Sequence, residues 1–390
     1  MNSLEFNKNR LFFIYFCISA GFIALIIRLL FIVILNDDDN VGNIYSTDKN
    51  PKRSDIVDRN GVIVATDLDI KLLYCNNTLI RNPQYVAKKL SETFSNLEYQ
   101  VLLKKLTQSK DGWVLIRRNI TPKQEKLINN LNIAGLIFED SKVRIYPQQS
   151  SLSHILGYTD LDNKGLAGIE KEYDDFLSAS SQDLKLATDI RIQEILNHEL
   201  KKAIIKFKAE AAFGIIMNVK NGEILALSSL PNFDPNNQGS ATNNEKFNKA
   251  TYGVYELGSV FKIFNHALAF ENNLIESGEI FDIKKAIKFG RFKIDDDHKD
   301  KDKLTTEEVF TESSNIGSVR ISQRFEKNQQ KEFLDKIGLL QKINTDFPSL
   351  GTPIYPKRWG KIRSATISFG HGIAVTPLHL VTAVSAILND

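Results

Sequence analysis

Ser259-Val260-Phe261-Lys262 pairs a weak nucleophile with a potential base at a spacing of three. On a helix, positions i and i+3 share a face, so the Ser259 hydroxyl and the Lys262 amine can meet. A serine attacks an acyl carbon only when a base takes its proton. A lysine becomes such a base only when desolvation or nearby positive charge lowers its pKa. Val260, Phe261 and Phe264 supply apolar neighbours that help exclude water. A helix starting just after Gly258 would also aim backbone N–H groups at an oxyanion. The chemistry indicated is acyl transfer through a serine ester. Spacing alone does not establish it, because Ser46-Thr47-Asp48-Lys49 repeats the pattern in a polar stretch. An ordinary helix surface accounts for most isolated Ser-x-x-Lys matches.

A second element narrows the choice. Ser313-Ser314-Asn315 is the only Ser-x-Asn in the chain, and it lies downstream of Ser259. Ser313 could relay a proton between Lys262 and a leaving amine, while Asn315 holds a substrate amide. Ser-x-x-Lys, Ser-x-Asn and Lys-Thr-Gly, in that order, mark serine acyltransferases that react with β-lactams. Neither Lys-Thr-Gly nor Lys-Ser-Gly occurs among the 390 residues.

The elements that must position these residues can be read in part. At 390 residues and 42% hydrophobic, the chain has room for two or three folded units. Fifty basic and 47 acidic residues leave a net charge of +3, and no basic cluster is interleaved with aromatics. Nucleic-acid binding is therefore excluded as a function class. The sign-alternating run at 295–303 reads as a solvated loop and matches no Ca²⁺ or Zn²⁺ spacing, so no metal or other cofactor is implied. Cys17 and Cys75 are not expected to pair.

Residues 11–35 carry a single charge, Arg28, and at about 1.5 Å per residue they span the hydrocarbon core of a bilayer. The stretch is too long for a cleaved signal peptide, so a retained anchor is expected. Lys8 and Arg10 before it, with Asp37, Asp38 and Asp39 after it, place residues 1–10 in the cytoplasm. Residues 36–52 read as a linker. Residues 53–66 read as a hairpin turning at Asn60-Gly61, a pair suited to positive φ. From 82 to about 132 the pattern is helical, including 84–94 and 122–131, and irregular Gly-containing sequence follows. A second unit starts near residue 183. Its first helix, 189–206, carries Ile190, Ile192, Ile195, Leu196 and Leu200 on one face. A hairpin follows at 211–227, its first strand apolar enough to be covered on both faces. Two strands alone are marginal, so the sheet requires more. Thr376 and Pro377 open a last helix with Leu378, Val381, Val384 and Ile387 on one stripe.

Taken together, these features resemble the class B penicillin-binding proteins, membrane-anchored D,D-transpeptidases that cross-link peptidoglycan. Besides the anchor and the two motifs, the resemblance rests on residues 53–61, Gly165-Leu166-Ala167-Gly168-Ile169-Glu170 and Asp189-Ile190-Arg191-Ile192-Gln193. It continues through Gly222-Glu223-Ile224-Leu225-Ala226-Leu227, Pro231-Asn232-Phe233-Asp234-Pro235-Asn236 and Gly370-His371-Gly372 up to Leu378. The chain is most similar to the septal, cell-division branch.

The resemblance implies an α+β fold. It consists of one transmembrane helix at 11–35, a pedestal (dimerisation-type) domain at 53–183, and a penicillin-binding transpeptidase domain at 184–390. The last would place helices around an antiparallel sheet missing its C-terminal strands. Ser259 would be the acylated nucleophile, Lys262 its general base, and Ser313 with Asn315 the second catalytic element. Implied partners are stem peptides ending in D-Ala-D-Ala, β-lactams, the lipid bilayer, a SEDS-type glycan polymerase and other division proteins, with Arg28 a candidate contact. The implied location is the inner (cytoplasmic) membrane, crossed once, with the bulk of the chain periplasmic. In the family, the Lys-Thr-Gly strand follows the Thr376-Pro377 helix by several dozen residues and supplies an oxyanion-hole donor. Its absence is expected to impair or abolish acylation, since losing one such donor costs about 10²–10³ in rate. The alternative is a non-catalytic, membrane-anchored division scaffold or a gene fragment. Smaller departures are Leu257 for proline, Ser54 for glycine, and a short interdomain link at 178–184.

Overall fold

The structure, a computed structural model, describes residues 8–35, 52–94, 96–108, 112–298 and 300–389. Residues 1–7 of the expected tail and 36–51 of the expected linker, with Asp37 to Asp39 and the Ser46/Lys49 pair, lie outside them. The chain divides into two compact units, Met1–Asn50 and Pro51–Asp390.

In the first unit, α1 runs over Lys8–Leu35. Its described side chains begin at Phe12 and end at Arg28, and Phe12, Phe13, Phe16 and Phe22 are all exposed. Among the described residues no helix is long and apolar enough to cross a membrane.

The second unit begins with the expected hairpin, β1 (Ile56–Val57) against β2 (Ile63–Asn76), with Val57 opposite Ile63. Gly61 takes φ +84°, and the Asp58 carboxylate accepts the N–H groups of Asn60 and Val62 at 2.7 and 2.9 Å. A positive φ and an aspartate closing its own turn make this bend local and strong. β2 is the spine of a five-stranded sheet. It pairs antiparallel with β3 (Trp113–Ile120) and, over ten positions, with β4 (Leu136–Ile145). β1 also pairs in parallel with β5 (Leu184–Lys185). Helices α2 (Pro83–Thr93), α3 (Tyr99–Gln108) and α4 (Pro122–Asn129) cover the sheet through Val86, Leu90, Leu102 and Ile128, which pack on Leu73, Cys75 and Ile116.

Two expectations are corrected here. The helical span 82–132 is broken by β3, and the irregular stretch after it contains β4. β3 is an apolar run, Trp113 to Ile116, followed by Arg117, Arg118 and Asn119, and β4 breaks its apolar residues with the polar run Glu139 to Lys142, so neither alternates with period two. Both are held as strands by the backbone of β2 rather than by an apolar period of their own, so pattern reading finds neither.

Past β5, α5 (Ile190–Phe207) also departs from its expected apolar face. Ile195 is exposed, whereas Gln193 and Asn197 are buried. The Gln193 amide donates to the Leu227 carbonyl and accepts the Leu227 N–H, both at 2.9 Å, and Asn197 accepts from Ser228 Oγ. The helix thus closes the outer edge of β7 (Ile224–Leu230), which pairs on its other side with β6 (Ala212–Met217). Among the described residues β6 pairs with no further strand, and it is half-buried rather than covered on both faces.

The remaining helices frame the motifs. α6 (Lys262–Glu271) and α7 (Asn315–Ser322) are tied by Asn265 Nδ2 donating to the Ser318 carbonyl at 3.1 Å. α8 (Pro377–Leu388) starts as expected, with Thr376 Oγ1 accepting from His379 N and proline in the first turn. Leu378 is buried, Val384 and Ile387 join a core with Phe261, Phe264 and Leu268, and Val381 is only half-buried.

Candidate active site

Ser259 lies on a 3₁₀ turn, Gly258–Phe261, that runs into the first residue of α6, Lys262. In a 3₁₀ turn residues i and i+3 eclipse, so Ser259 and Lys262 share a side more closely than on an α-helical surface. Their exposures are opposite. Ser259 is exposed, and its hydroxyl makes no side-chain hydrogen bond among the described residues; Lys262 is 1% exposed.

The Lys262 ammonium donates to the Ser313 carbonyl in a short contact and to Ser313 Oγ at 2.9 Å. Ser313 takes φ +57°, a region non-glycine residues rarely occupy. Burial pushes the Lys262 pKa down to about 8, against the opposing charges of Asp296 and Asp297. That value suits a lysine acting as a base near neutral pH. Ser314 caps α7 by accepting from Gly317 N at 2.9 Å, and Asn315 Nδ2 donates to the Asp295 carbonyl at 3.3 Å.

The structure therefore joins Lys262 directly to Ser313, while Asn315, two residues on, bonds to Asp295. Ser259 stands exposed one turn before Lys262, and its side chain makes no hydrogen bond to the other three among the described residues. Sequence reading missed three features around them. The run at 295–303 is not simply a solvated loop, because Asp295 and Asp296 pack against Ser314, Asn315 and Ile316. Glu256 accepts from Gly372 N at 3.1 Å and from His371 Nδ1 at 2.9 Å, tying the 370–372 loop to the segment that carries Ser259. Gly370, at φ +81°, packs so tightly that a Cβ there would lie 2.0 Å from the Gly258 carbonyl oxygen. None of these pairings has a local signal, since each joins residues far apart in the chain.

Also missed as a group is a buried ion cluster at the start of the second unit. Arg53 Nε and Arg144 Nε each donate to Glu170, at 2.8 and 2.7 Å. Arg53 also meets Asp174 at 2.7 Å, and Arg144 meets Asp67 at 3.2 Å. Separately, a cavity of about 300 Å³ is lined by His154, Tyr158, Phe233, Lys246, Phe247 and Tyr252, among others, and by none of the four motif residues.

An exposed hydroxyl beside a buried lysine of lowered proton affinity is equipped to form and break a serine ester. Comparison with known proteins gives the family. The profile of the penicillin binding protein transpeptidase domain matches residues 212–390, and that of the penicillin-binding protein dimerisation domain matches 48–203. This chain belongs to the penicillin-binding proteins. Its order, a dimerisation domain followed by a transpeptidase domain, is that of class B. As a penicillin-binding protein it is 32% identical over 354 residues to a probable peptidoglycan D,D-transpeptidase FtsI of Caulobacter vibrioides, covering 89% of this chain and 59% of that relative. It is 31% identical over 388 residues to stage V sporulation protein D of Bacillus subtilis, covering 87% and 58%. The chain thus spans less than two thirds of the length of either. A crystal structure of a peptidoglycan synthetase from Bifidobacterium adolescentis superposes with a TM-score of 0.65 at 20% identity, over 87% of this chain and 72% of that one, and so shares its fold.

Proposed function

We propose that the whole protein is a peptidoglycan D,D-transpeptidase acting in septal wall synthesis, and that these residues carry the nucleophile half of its site. The observation behind this reading is the buried Lys262 amine, bonded to Ser313 and lowered toward neutrality by burial, one turn from the exposed Ser259. Neutral Lys262 takes the Ser259 proton, and the hydroxyl oxygen attacks the carbonyl of a D-Ala-D-Ala stem peptide. The proton passes by way of Ser313 to the departing D-Ala amine, and a neighbouring strand's amine then displaces the ester. Asn315 holds the substrate amide, and β-lactams acylate the same oxygen. Residues 53–183 serve as pedestal and 184–390 as the transpeptidase portion.

Intact-mass and peptide spectrometry after treatment with a fluorescent penicillin tests the assignment. The adduct is expected on the peptide containing Ser259 and is lost in Ser259→Ala; an adduct that survives that substitution sinks it. A polypeptide of these 390 residues, with no Lys-Thr/Ser-Gly, is expected to acylate slowly, and fast labelling would overturn that part alone. The scaffold reading is favoured by one observation, the buried ion cluster of the pedestal, which needs no acylation to form.

Residues 11–35 act as a single-pass anchor in the inner membrane, with the chain beyond them periplasmic. Support comes from the sequence of residues 11–35, which carries the single charge of Arg28. Partners along that helix are a SEDS-type polymerase and division proteins. Retention in the membrane fraction after alkaline washing is expected, and release would refute the anchor. A fluorescent fusion spread evenly along the cell, with no enrichment at the division site, would refute the septal role.

A further inference from the structure

We propose that Asp296 is a positioning residue of this site, holding Ser314 and the first turn of α7 so that Ser313 keeps both its oxygens on Lys262. This deepens the reading above and rests on it for the rate measurements only. The Asp296 carboxylate bridges two groups: Oδ2 accepts from Ser314 Oγ at 2.7 Å and Oδ1 from Ile316 N at 2.9 Å. Ser314 Oγ in turn accepts from Gly317 N at 2.9 Å, so one side chain locks the serine and the helix start together. A carboxylate at this end of α7 is also favoured by the helix dipole.

Ser313 sits between two fixed ends. Upstream, its N–H and that of Ser314 are bonded to the carbonyls of Phe310 and Val309 at 3.2 and 3.0 Å, where the helix Thr306–Thr311 stops. Downstream stands the turn that Asp296 holds. A non-glycine residue at φ +57° persists only when its surroundings over-determine it, and this clamp does so. Asp296 comes from the run that composition marks as solvated, and Asn315 Nδ2 bonded to the Asp295 carbonyl fixes the same segment from the other side.

The carboxylate has a second effect. The charged or titratable groups facing Lys262 are Asp296 and Asp297, which favour its protonated form, and His266, whose Nδ1 lies 2.8 Å from the Lys262 carbonyl. Removing the Asp296 charge should favour the neutral lysine.

The full chain, with Asp296→Asn and Asp296→Ala, separates the two effects. Amide hydrogen exchange over residues 312–318 and the pH profile of penicillin acylation at Ser259 are measured on each. In the alanine variant, exchange is expected to quicken about tenfold and the acylation plateau to fall about tenfold. In the asparagine variant, which still offers an acceptor to Ile316, both should stay within about threefold, while the acidic limb of the profile moves to lower pH. Unchanged exchange in the alanine variant overturns the proposal. So does an asparagine variant that matches alanine with its acidic limb unmoved, because that marks a general loss of packing. If alanine fails to fold, the asparagine profile decides. If even the wild type forms no Ser259 adduct, as loss of the Lys-Thr-Gly strand would also produce, exchange alone decides the role of Asp296.

Discussion

The Arg53–Arg144 cluster and the Lys262 site both bury cations, and they differ in how the charge is met. In the cluster, two guanidinium groups face the carboxylates of Glu170, Asp67 and Asp174 at 2.7–3.2 Å. At Lys262 the direct partners are the neutral oxygens of Ser313, and the carboxylates of Asp296 and Asp297 act only through space. Direct contact with carboxylates leaves a permanent ion network whose work is structural. Incomplete pairing leaves an amine pushed down to about 8. The fold lowers the proton affinity of a buried lysine by withholding a direct counter-ion from it.

The largest effect should come from breaking the paired side. Arg53→Ala takes one of its two guanidinium partners from Glu170, which is 0% exposed, and removes the Asp174 pair as well, and is expected to cost about 3–5 kcal/mol in chemical denaturation. A loss below about 1 kcal/mol would mean that the cluster is not a structural clamp.

Lys262→Met should do the reverse, stabilising the fold while abolishing acylation. The sign follows from a folded pKa lowered from 10.5 to about 8. Between those values the unfolded chain binds more protons, so the penalty is fully present below pH 8 and fades as pH rises to 10.5. Methionine removes the penalty, for an expected gain of about 1–3 kcal/mol at pH 7. A destabilised, inactive variant would show that the lysine is paired well enough to hold the fold.

Ser313→Asp would turn the site toward the cluster's chemistry. A direct counter-ion should raise the acidic limb of the acylation profile by roughly 1–2 pH units, and an unmoved limb would separate Lys262 from the proton transfer. The smallest effect is expected at the exposed Glu256–His371 pair. Glu256→Gln should change stability by less than about 1 kcal/mol, read as a melting shift of no more than a few degrees.

The same contrast explains what the sequence disclosed. The Asn60-Gly61 turn, the Thr376-Pro377 cap and the Gly222 turn, at φ +74°, were legible because each depends on one or two residues with particular backbone chemistry. Ser259, Lys262, Ser313 and Asn315 were legible as types at a spacing. β3 and β4 were not, since the backbone of β2 recruits them. Nor was the Gln193 and Asn197 grip on β7, which replaces an apolar helix face with buried amides. Asp296 was hidden in a stretch whose composition is that of an exposed loop, because a carboxylate that meets a helix start is indistinguishable by type from one that meets water.

The parallel pairing of β1 with β5 has a mechanical meaning. Leu184 N to Asp55 O, Leu186 N to Val57 O and Arg59 N to Thr188 O, each 2.9 Å, lie side by side, and Ile190 N reaches Asp58 at 3.2 Å. A pull on the chain at Lys52 loads these bonds together in shear. The tension passes to the first turn of α5, where Gln193 grips β7. Force applied at the start of this unit is therefore felt by the strands of the transpeptidase segment without first travelling through the pedestal helices.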